Sequence, residues 1–340
     1  MSIALRSFAK INLGLKIGPP RPDGFHSLLT IYQTIALHDI VRVEVKPGDG
    51  IEIQCSDPRV PCDATNTCHK IAERVLVVTG KGGKITIEID KRLPVQGGMG
   101  AASSNAIAAM LGLERALGIE LPQTEKLRIA AEVGSDLPLF LVGGTVLGVD
   151  RGQEVYALQD LPETPVVVVT PTVGVSTPKA FAQWDALIAS GSAQVNALTT
   201  NEHAVTMKER DQAANAWLGE RLLSQGFIAE GSASGVPALG GDRAETPLLD
   251  LVRTGIENDF ERVVFPEYPE LREVKSVLQR EGARYASLSG SGSTLYGMFE
   301  SVTEAEAAAE RMRAAEHAAV ATRTVGRAEY WKQLFVTSNS

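Results

Sequence analysis

Cysteine is scarce in this 340-residue chain: Cys55, Cys62 and Cys68 form an odd set, crowded together and without CxxC spacing. They point to neither a disulfide framework nor a zinc site, and read as the reduced thiols of a cytoplasmic protein. Positive charge is in deficit, with 33 Lys and Arg against 41 Asp and Glu, a net charge of −8. That balance argues against a nucleic-acid or anionic-membrane partner, which demands an overall basic footprint. Uninterrupted apolar runs are missing too. The longest charge-free stretch, residues 93–113, contains Pro94, Gln96, Gly97, Gly98, Gly100 and Asn105, which a bilayer-spanning helix would not carry. Arg6, Lys10 and Lys16 break up the first residues, so no signal-peptide core is expected there. What remains is a chain long enough for about two domains of roughly 150 residues with hydrophobic cores of their own.

Ile11, Leu13, Leu15 and Ile17 are separated by Asn12, Gly14 and Lys16, which predicts a half-buried strand with Lys10 and Asn12 on its polar face. Arg21-Pro22-Asp23-Gly24 marks a turn. Alternation predicts further strands at 41–45, 51–53, 85–89, 145–149 and 166–170. Asn66 is placed to cap a helix running towards residue 78. Helices are expected after Ser103 and Ser104, then at 124–133, 178–189 and 203–224, the last anchored by Met207, Trp217, Leu218 and Leu222. Pro269 suits the first turn of a helix carrying Leu271, Val274 and Leu278, and Thr303 with Glu306 has capping-box spacing. Residues 226–247 hold glycines but few large apolar side chains, and read as a mobile insertion. Strands and helices mix without regular alternation, so the expectation is an α+β fold in two halves, 1–160 and 161–340, with an insertion at about 185–250.

The glycines matter by position. Pro94-Val95-Gln96-Gly97-Gly98-Met99-Gly100-Ala101-Ala102-Ser103-Ser104 sits between a predicted strand and a helix, preceded by Lys91 and Arg92 and with no acidic residue before Glu114. Glycines there let backbone N–H groups approach a phosphate, and the helix N-terminus adds partial positive charge. The same segment also suits a tight turn with a serine cap. It is not a P-loop, because no lysine follows the glycines, and GxGxxG fails at Ser103. Protein-kinase HRD and DFG signatures are absent.

The segment from Pro94 through Gly98-Met99-Gly100-Ala101-Ala102-Ser103-Ser104-Asn105-Ala106 resembles the nucleotide-binding motif of the GHMP kinase superfamily. Ala9-Lys10-Ile11-Asn12-Leu13 and Ser289-Gly290-Ser291-Gly292-Ser293-Thr294 fall where that superfamily has its other two motifs. Pro22-Asp23-Gly24-Phe25-His26-Ser27-Leu28 and Gly134-Ser135-Asp136-Leu137-Pro138-Leu139-Phe140 look like a branch of non-mevalonate isoprenoid synthesis whose acceptor is a cytidine diphosphate conjugate. The likeness runs on through Asn258-Asp259-Phe260 and Phe265-Pro266-Glu267, and lapses at about 185–250.

This resemblance implies a two-domain GHMP kinase fold, with an N-terminal nucleotide-binding domain and a C-terminal substrate domain. It implies ATP on residues 94–104, Mg²⁺ arriving with the nucleotide near Ser104, and small-molecule substrates only. Asp136 matches the catalytic base and Lys10 the catalytic lysine, although Ser135-Asp136 is also a good helix cap and a strand-start lysine is commonly solvated. Phe25, His26 and Phe181 match the cytidine-binding positions, with phenylalanine at 25 where the family often has tyrosine. Taken alone, the two phenylalanines are more often core residues and His26 more often a turn histidine. Asn12, on the Lys10 face, is a candidate substrate contact. The rival readings are a kinase of mevalonate, homoserine or a sugar, which has no base to stack, and a non-catalytic nucleotide sensor, which would be expected to lack Lys10 or Asp136.

Overall fold

Alternating aliphatic and β-branched residues favour extended chain, and the first half of the protein uses them in two long strands. In the computed structural model, which describes residues 2–95, 97–191 and 257–336, β1 (Ile3–Pro20) and β2 (His26–Lys46) form an antiparallel hairpin. Gly24, in the turn between them, adopts φ +82°. β2 also pairs with β4 (Lys84–Asp90) and with β5 (Thr145–Val149); β3 (Ile51–Cys55) joins β4 in parallel, and β6 (Glu154–Ala157) completes a six-stranded sheet against β5. A second sheet, antiparallel throughout, has the order β10 (Ala319–Arg323), β7 (Pro165–Val169), β9 (Leu295–Met298), β8 (Tyr285–Leu288).

Helices α1 (Thr67–Thr79), α2 (Ala101–Leu117) and α3 (Gln123–Val133) share a core with the first sheet. Helices α4 (Thr177–Ala189), α5 (Glu261–Glu267), α6 (Pro269–Arg280) and α7 (Val302–Ala314) share one with the second. Helix α8 (Arg327–Leu334) returns to the first: Tyr330 lies in that core and Val336 N donates to Ala4 O. Helices segregated onto mainly antiparallel sheets make the fold α+β, as the sequence implied. None of the described helices is long and apolar enough to cross a membrane.

Several local expectations need correction. The period-two pattern of β1 is right, but both faces are buried from Ser7 to Leu15. Ala9, Ile11 and Leu13 pack with Val166, Val168 and Tyr296 of the second sheet, so β1 lies between the two sheets and has no solvated side. Helix α2 opens at Ala101 with Gly100 as N-cap, so Ser103 and Ser104 sit inside its first turn and cap nothing. The capping box lies two residues earlier than read, formed by Ser301 and Glu304; both spacings fit the pattern, and the helix start at Val302 selects the first. Asn66 does cap α1, accepting from Cys68 N at 2.8 Å. The helix expected at 203–224 and most of the insertion expected at 185–250 lie outside the described residues, as does Gln96.

Asp39, fully buried on β2, organises the approach to the glycine-rich segment. Its carboxylate accepts from Lys91 Nζ at 2.8 Å, from the Arg92 and Leu93 backbone N–H groups at 2.7 Å each, and from Asn105 Nδ2 at 3.1 Å. One side chain thus pins the strand exit before Pro94 to the helix after Gly100. Asp39→Ala should lower unfolding stability by about 3–5 kcal/mol, because it strands a buried ammonium, the buried Leu93 N–H and the part-buried Arg92 N–H. Urea denaturation tests this, and a loss below about 1 kcal/mol would contradict it.

Candidate active site

The glycine-rich segment is held by a second loop. Gly98 has φ +77°, and a Cβ there would lie 2.2 Å from Ser289 O, inside any permitted contact. Ser289 Oγ donates to Gly98 O at 3.0 Å and Thr294 N to Gly97 O at 3.3 Å. Gly100 has φ +68°, and its Cβ would meet the Phe140 ring at 3.0 Å and the Lys10 stem at 3.1 Å. The two loops can approach this closely only because the first has no side chain at the contact: a Cβ on Gly97 would likewise stand 2.7 Å from Thr294 Oγ1.

A cleft of about 390 Å³ opens on one side of the segment. Pro94, Val95, Gly97, Gly98, Met99, Gly100, Ala101, Ala102 and Ser103 line one wall, and Arg59, Thr65, Asn66, Thr67 and Lys91 line the other. Among the described residues no carboxylate lines it, and the N-terminus of α2 opens at it, which is the arrangement that receives phosphate. Ser104 does not line this cleft; it is 2 % exposed, with its N–H bonded to Gly100 O.

A larger cleft of about 660 Å³ meets the first at Gly98. At its inner end Lys10, only 3 % exposed, places Nζ 3.2 Å from Asp136 Oδ2 and donates to Asn12 Oδ1 at 2.7 Å. Asn12 in turn donates to Thr30 Oγ1 at 2.8 Å. The Tyr32 hydroxyl donates to Asp136 Oδ1 at 3.1 Å. Burial, and then the Asp136 charge, push the Tyr32 phenol far above its ordinary value, so it stays a neutral donor. The Asp136 carboxylate is therefore engaged by Lys10 and Tyr32, and the 3-10 turn that follows (Pro138–Leu141) has no side-chain cap. Tyr32 was not singled out from sequence. It shares the even-numbered face of β2 with Thr30 and Thr34, and only the fold brings that face to Asp136.

The outer end of this cleft is aromatic. His26 stacks on Phe181 with ring centroids 4.6 Å apart and planes 12° apart, and Phe181 meets Phe260 edge-on at 4.9 Å. Phe25 is half exposed at the rim. His26 Nε2 lies 2.8 Å from Asp185 Oδ1. Asp185 was also missed, although it stands one helical turn after Phe181 and so on the same face of α4. From the second half come Gly290 and Ser291, the latter 2.7 Å from Thr177 Oγ1. Asn258 holds this loop through Nδ2, which donates to Leu288 O and Gly290 O. Of the residues expected from sequence, the structure thus gathers Lys10, Asn12, Phe25, His26, Asp136 and Phe181 around one cleft.

Two clefts that share Gly98, one lined by the glycine-rich segment and the other holding the Lys10–Asp136 pair, in an α+β fold, are what a small-molecule kinase of the GHMP type would need. Models of that family agree: the GHMP kinase N-terminal domain matches residues 66–144 and the GHMP kinase C-terminal region matches residues 245–318. The chain is 33 % identical over 313 residues to the 4-diphosphocytidyl-2-C-methyl-D-erythritol kinase of Acaryochloris marina, covering 92 % of this chain and 91 % of that one. It is 35 % identical over 295 residues to the kinase of the same name from Solibacter usitatus, covering 87 % and 80 %. A crystal structure of 4-(cytidine 5'-diphospho)-2C-methyl-D-erythritol kinase superposes with TM-score 0.67 at 26 % identity, covering 95 % of this chain and 99 % of that one. Homoserine kinase from Cytophaga hutchinsonii shares the fold at TM-score 0.64 and 18 % identity, covering 96 % and 95 %. The chain belongs to the 4-diphosphocytidyl-2-C-methyl-D-erythritol kinase family.

Gly98→Ala tests the contact between the loops. The added methyl must displace Ser289 O and hold a left-handed backbone, so a stability loss of about 1–3 kcal/mol is expected, with a raised KM for ATP. A variant with wild-type thermal stability and nucleotide KM would show that the loops do not need this approach.

Proposed function

We propose that the chain transfers the γ-phosphoryl group of ATP to a hydroxyl of 4-diphosphocytidyl-2-C-methyl-D-erythritol, giving the 2-phosphate and ADP. The observation that carries the reading is the position of the Lys10–Asp136 pair, at the end of the acceptor cleft where Gly98 joins it to the nucleotide cleft. In this reading ATP lies along residues 94–103, with its phosphates on the backbone N–H groups before α2. The cytidine lies among Phe25, His26 and Phe181, and Asn12 contacts the reacting end.

Phosphoryl transfer asks the protein mainly for positioning and charge stabilisation. The acceptor oxygen forms its bond to the γ-phosphorus as the bond to the ADP oxygen breaks, and the hydroxyl proton passes to Asp136. A carboxylate is far less basic than an alkoxide, so the proton moves late, once the new P–O bond has acidified the hydroxyl. The Tyr32 hydroxyl holds Asp136 Oδ1, which leaves its rotamer defined. Lys10 keeps a positive charge within reach of the transferring oxygens.

Mg²⁺ fits these residues only as an ion carried by the nucleotide. Among the described residues no three His, Cys, Asp or Glu side chains converge on one point, and the nucleotide cleft has no carboxylate. Its ligands would be phosphate and water oxygens, with the serine hydroxyls of α2's first turn, Ser103 at the wall and Ser104 beneath it, as the nearest protein groups. Bound so, it would neutralise phosphate charge.

An ADP-release assay with the cytidyl acceptor, mevalonate and homoserine side by side tests the acceptor. Turnover with the cytidyl compound alone is expected; turnover with another acceptor would replace this reading, and release with none would favour a nucleotide sensor. Asp136→Asn and Lys10→Ala should each lower kcat by about 10²–10⁴-fold with ATP affinity nearly unchanged. Full activity in either variant would remove the assigned roles. His26→Ala should raise KM for the cytidyl acceptor far more than KM for ATP, and equal effects would count against a cytidine contact.

A further inference from the structure

The tip of the β5–β6 hairpin carries a cation that the reading above leaves without a task. Asp150 adopts φ +61° and Gly152 φ +96°, so left-handed backbone stands on both sides of Arg151 in this turn. Arg151 N donates to Gln153 Oε1 at 2.9 Å, and Asp150 O accepts from Leu28 N at 2.5 Å, which fixes the tip. Arg21 pairs with both Asp23 and Asp150, tying this hairpin to the turn that bears Phe25. The Arg151 guanidinium lies over the Phe25 ring, 4.9 Å from its centroid, and its Nε is buried without a hydrogen-bond partner among the described residues. Next to it, a Cβ on Gly152 would stand 2.5 Å from the Tyr32 hydroxyl, the same hydroxyl that holds Asp136. Two successive residues thus reach from the phosphoryl-transfer end of the acceptor cleft to its aromatic end.

We propose that Arg151 reads the diphosphate of the acceptor and is a specificity-determining residue of this kinase. The inference rests on the cytidyl acceptor assigned above. In that compound the diphosphate joins the base-bearing ribose to the polyol that receives phosphate, so it must cross the span that Arg151 and Gly152 cover. Lys10 and Arg151 are the lysine and arginine of the described cleft lining, and Lys10 is committed to Asp136 and Asn12. A planar guanidinium suits two phosphate oxygens, and its place on one face of Phe25 leaves the other face for the base.

Calorimetric titration of CDP and of cytidine into the whole protein separates the possibilities. The wild type should bind CDP more tightly than cytidine. Arg151→Gln should lose at least about tenfold in CDP affinity while cytidine changes by less than about twofold. Its KM for the cytidyl acceptor should rise and its KM for ATP should not. Arg151→Lys should regain part of the CDP preference. Equal losses for CDP and cytidine would overturn the proposal, since Arg151 would then only support the Phe25 ring; so would no loss for either. Failure of the underlying reading looks different: a wild type that turns over no cytidyl acceptor removes the acceptor assignment and this inference together, whereas an active wild type with an unaltered Arg151→Gln removes the inference alone.

Discussion

A buried ammonium group is the constraint around which the site is arranged. Lys10 Nζ is taken out of water in the middle of β1, which costs several kcal/mol unless charge and hydrogen bonds replace the lost hydration. Asp136 and Asn12 supply them. The same residue's stem fills the space that Gly100 leaves vacant at the start of α2, and its N–H donates to Met99 O. One side chain therefore packs its aliphatic part against the glycine-rich loop and sets its charge in the larger cleft.

The loops that meet there belong to different sheets. Residues 97–100 follow the first sheet, residues 289–294 connect β8 to β9 of the second, and Gly98 lets them touch. Asp39 anchors the first loop from behind, and Asn258 anchors the second. Both anchors are buried polar side chains that bond backbone groups of the segment they hold, and Asp39 takes the Lys91 and Asn105 side chains as well. The acceptor cleft is built likewise from both halves, with Lys10, Asp136 and Arg151 from one and Phe181, Phe260 and Ser291 from the other.

Much of this was legible before the fold was known. Period-two alternation gave residues 11–17 of β1, the last residues of β2 and most of β4, and Asn66 marked the start of α1, because these signals depend on neighbours a few residues away; residues 26–40 of β2 carried no such reading. The glycine-serine segments announced themselves through composition, and the motif resemblance singled out Lys10, Asn12 and Asp136. Exposure was misjudged for β1, since nothing local says that a second sheet will cover its other face. Ser104 was placed at the phosphate side although the helix starts at Ala101 and turns that side chain inward. Tyr32, Asp39 and Arg151 carried no signal of their own, whereas Asp185 had only its helical spacing from Phe181: an ordinary residue becomes a site residue only when a distant partner arrives.

What the sequence by itself determined is therefore the local chemistry: where backbone must bend through glycine, where strands alternate, and which lysine and aspartate stand in recognisable surroundings. What only the tertiary structure decided is which of those groups meet. Lys10 and Asp136 are 126 positions apart along the chain and 3.2 Å apart in space, and Phe25 finds Arg151 across a comparable separation. Electrostatic pairing and stacking act over a few ångströms, so their partners are chosen by sheet register and loop contact, not by order along the chain.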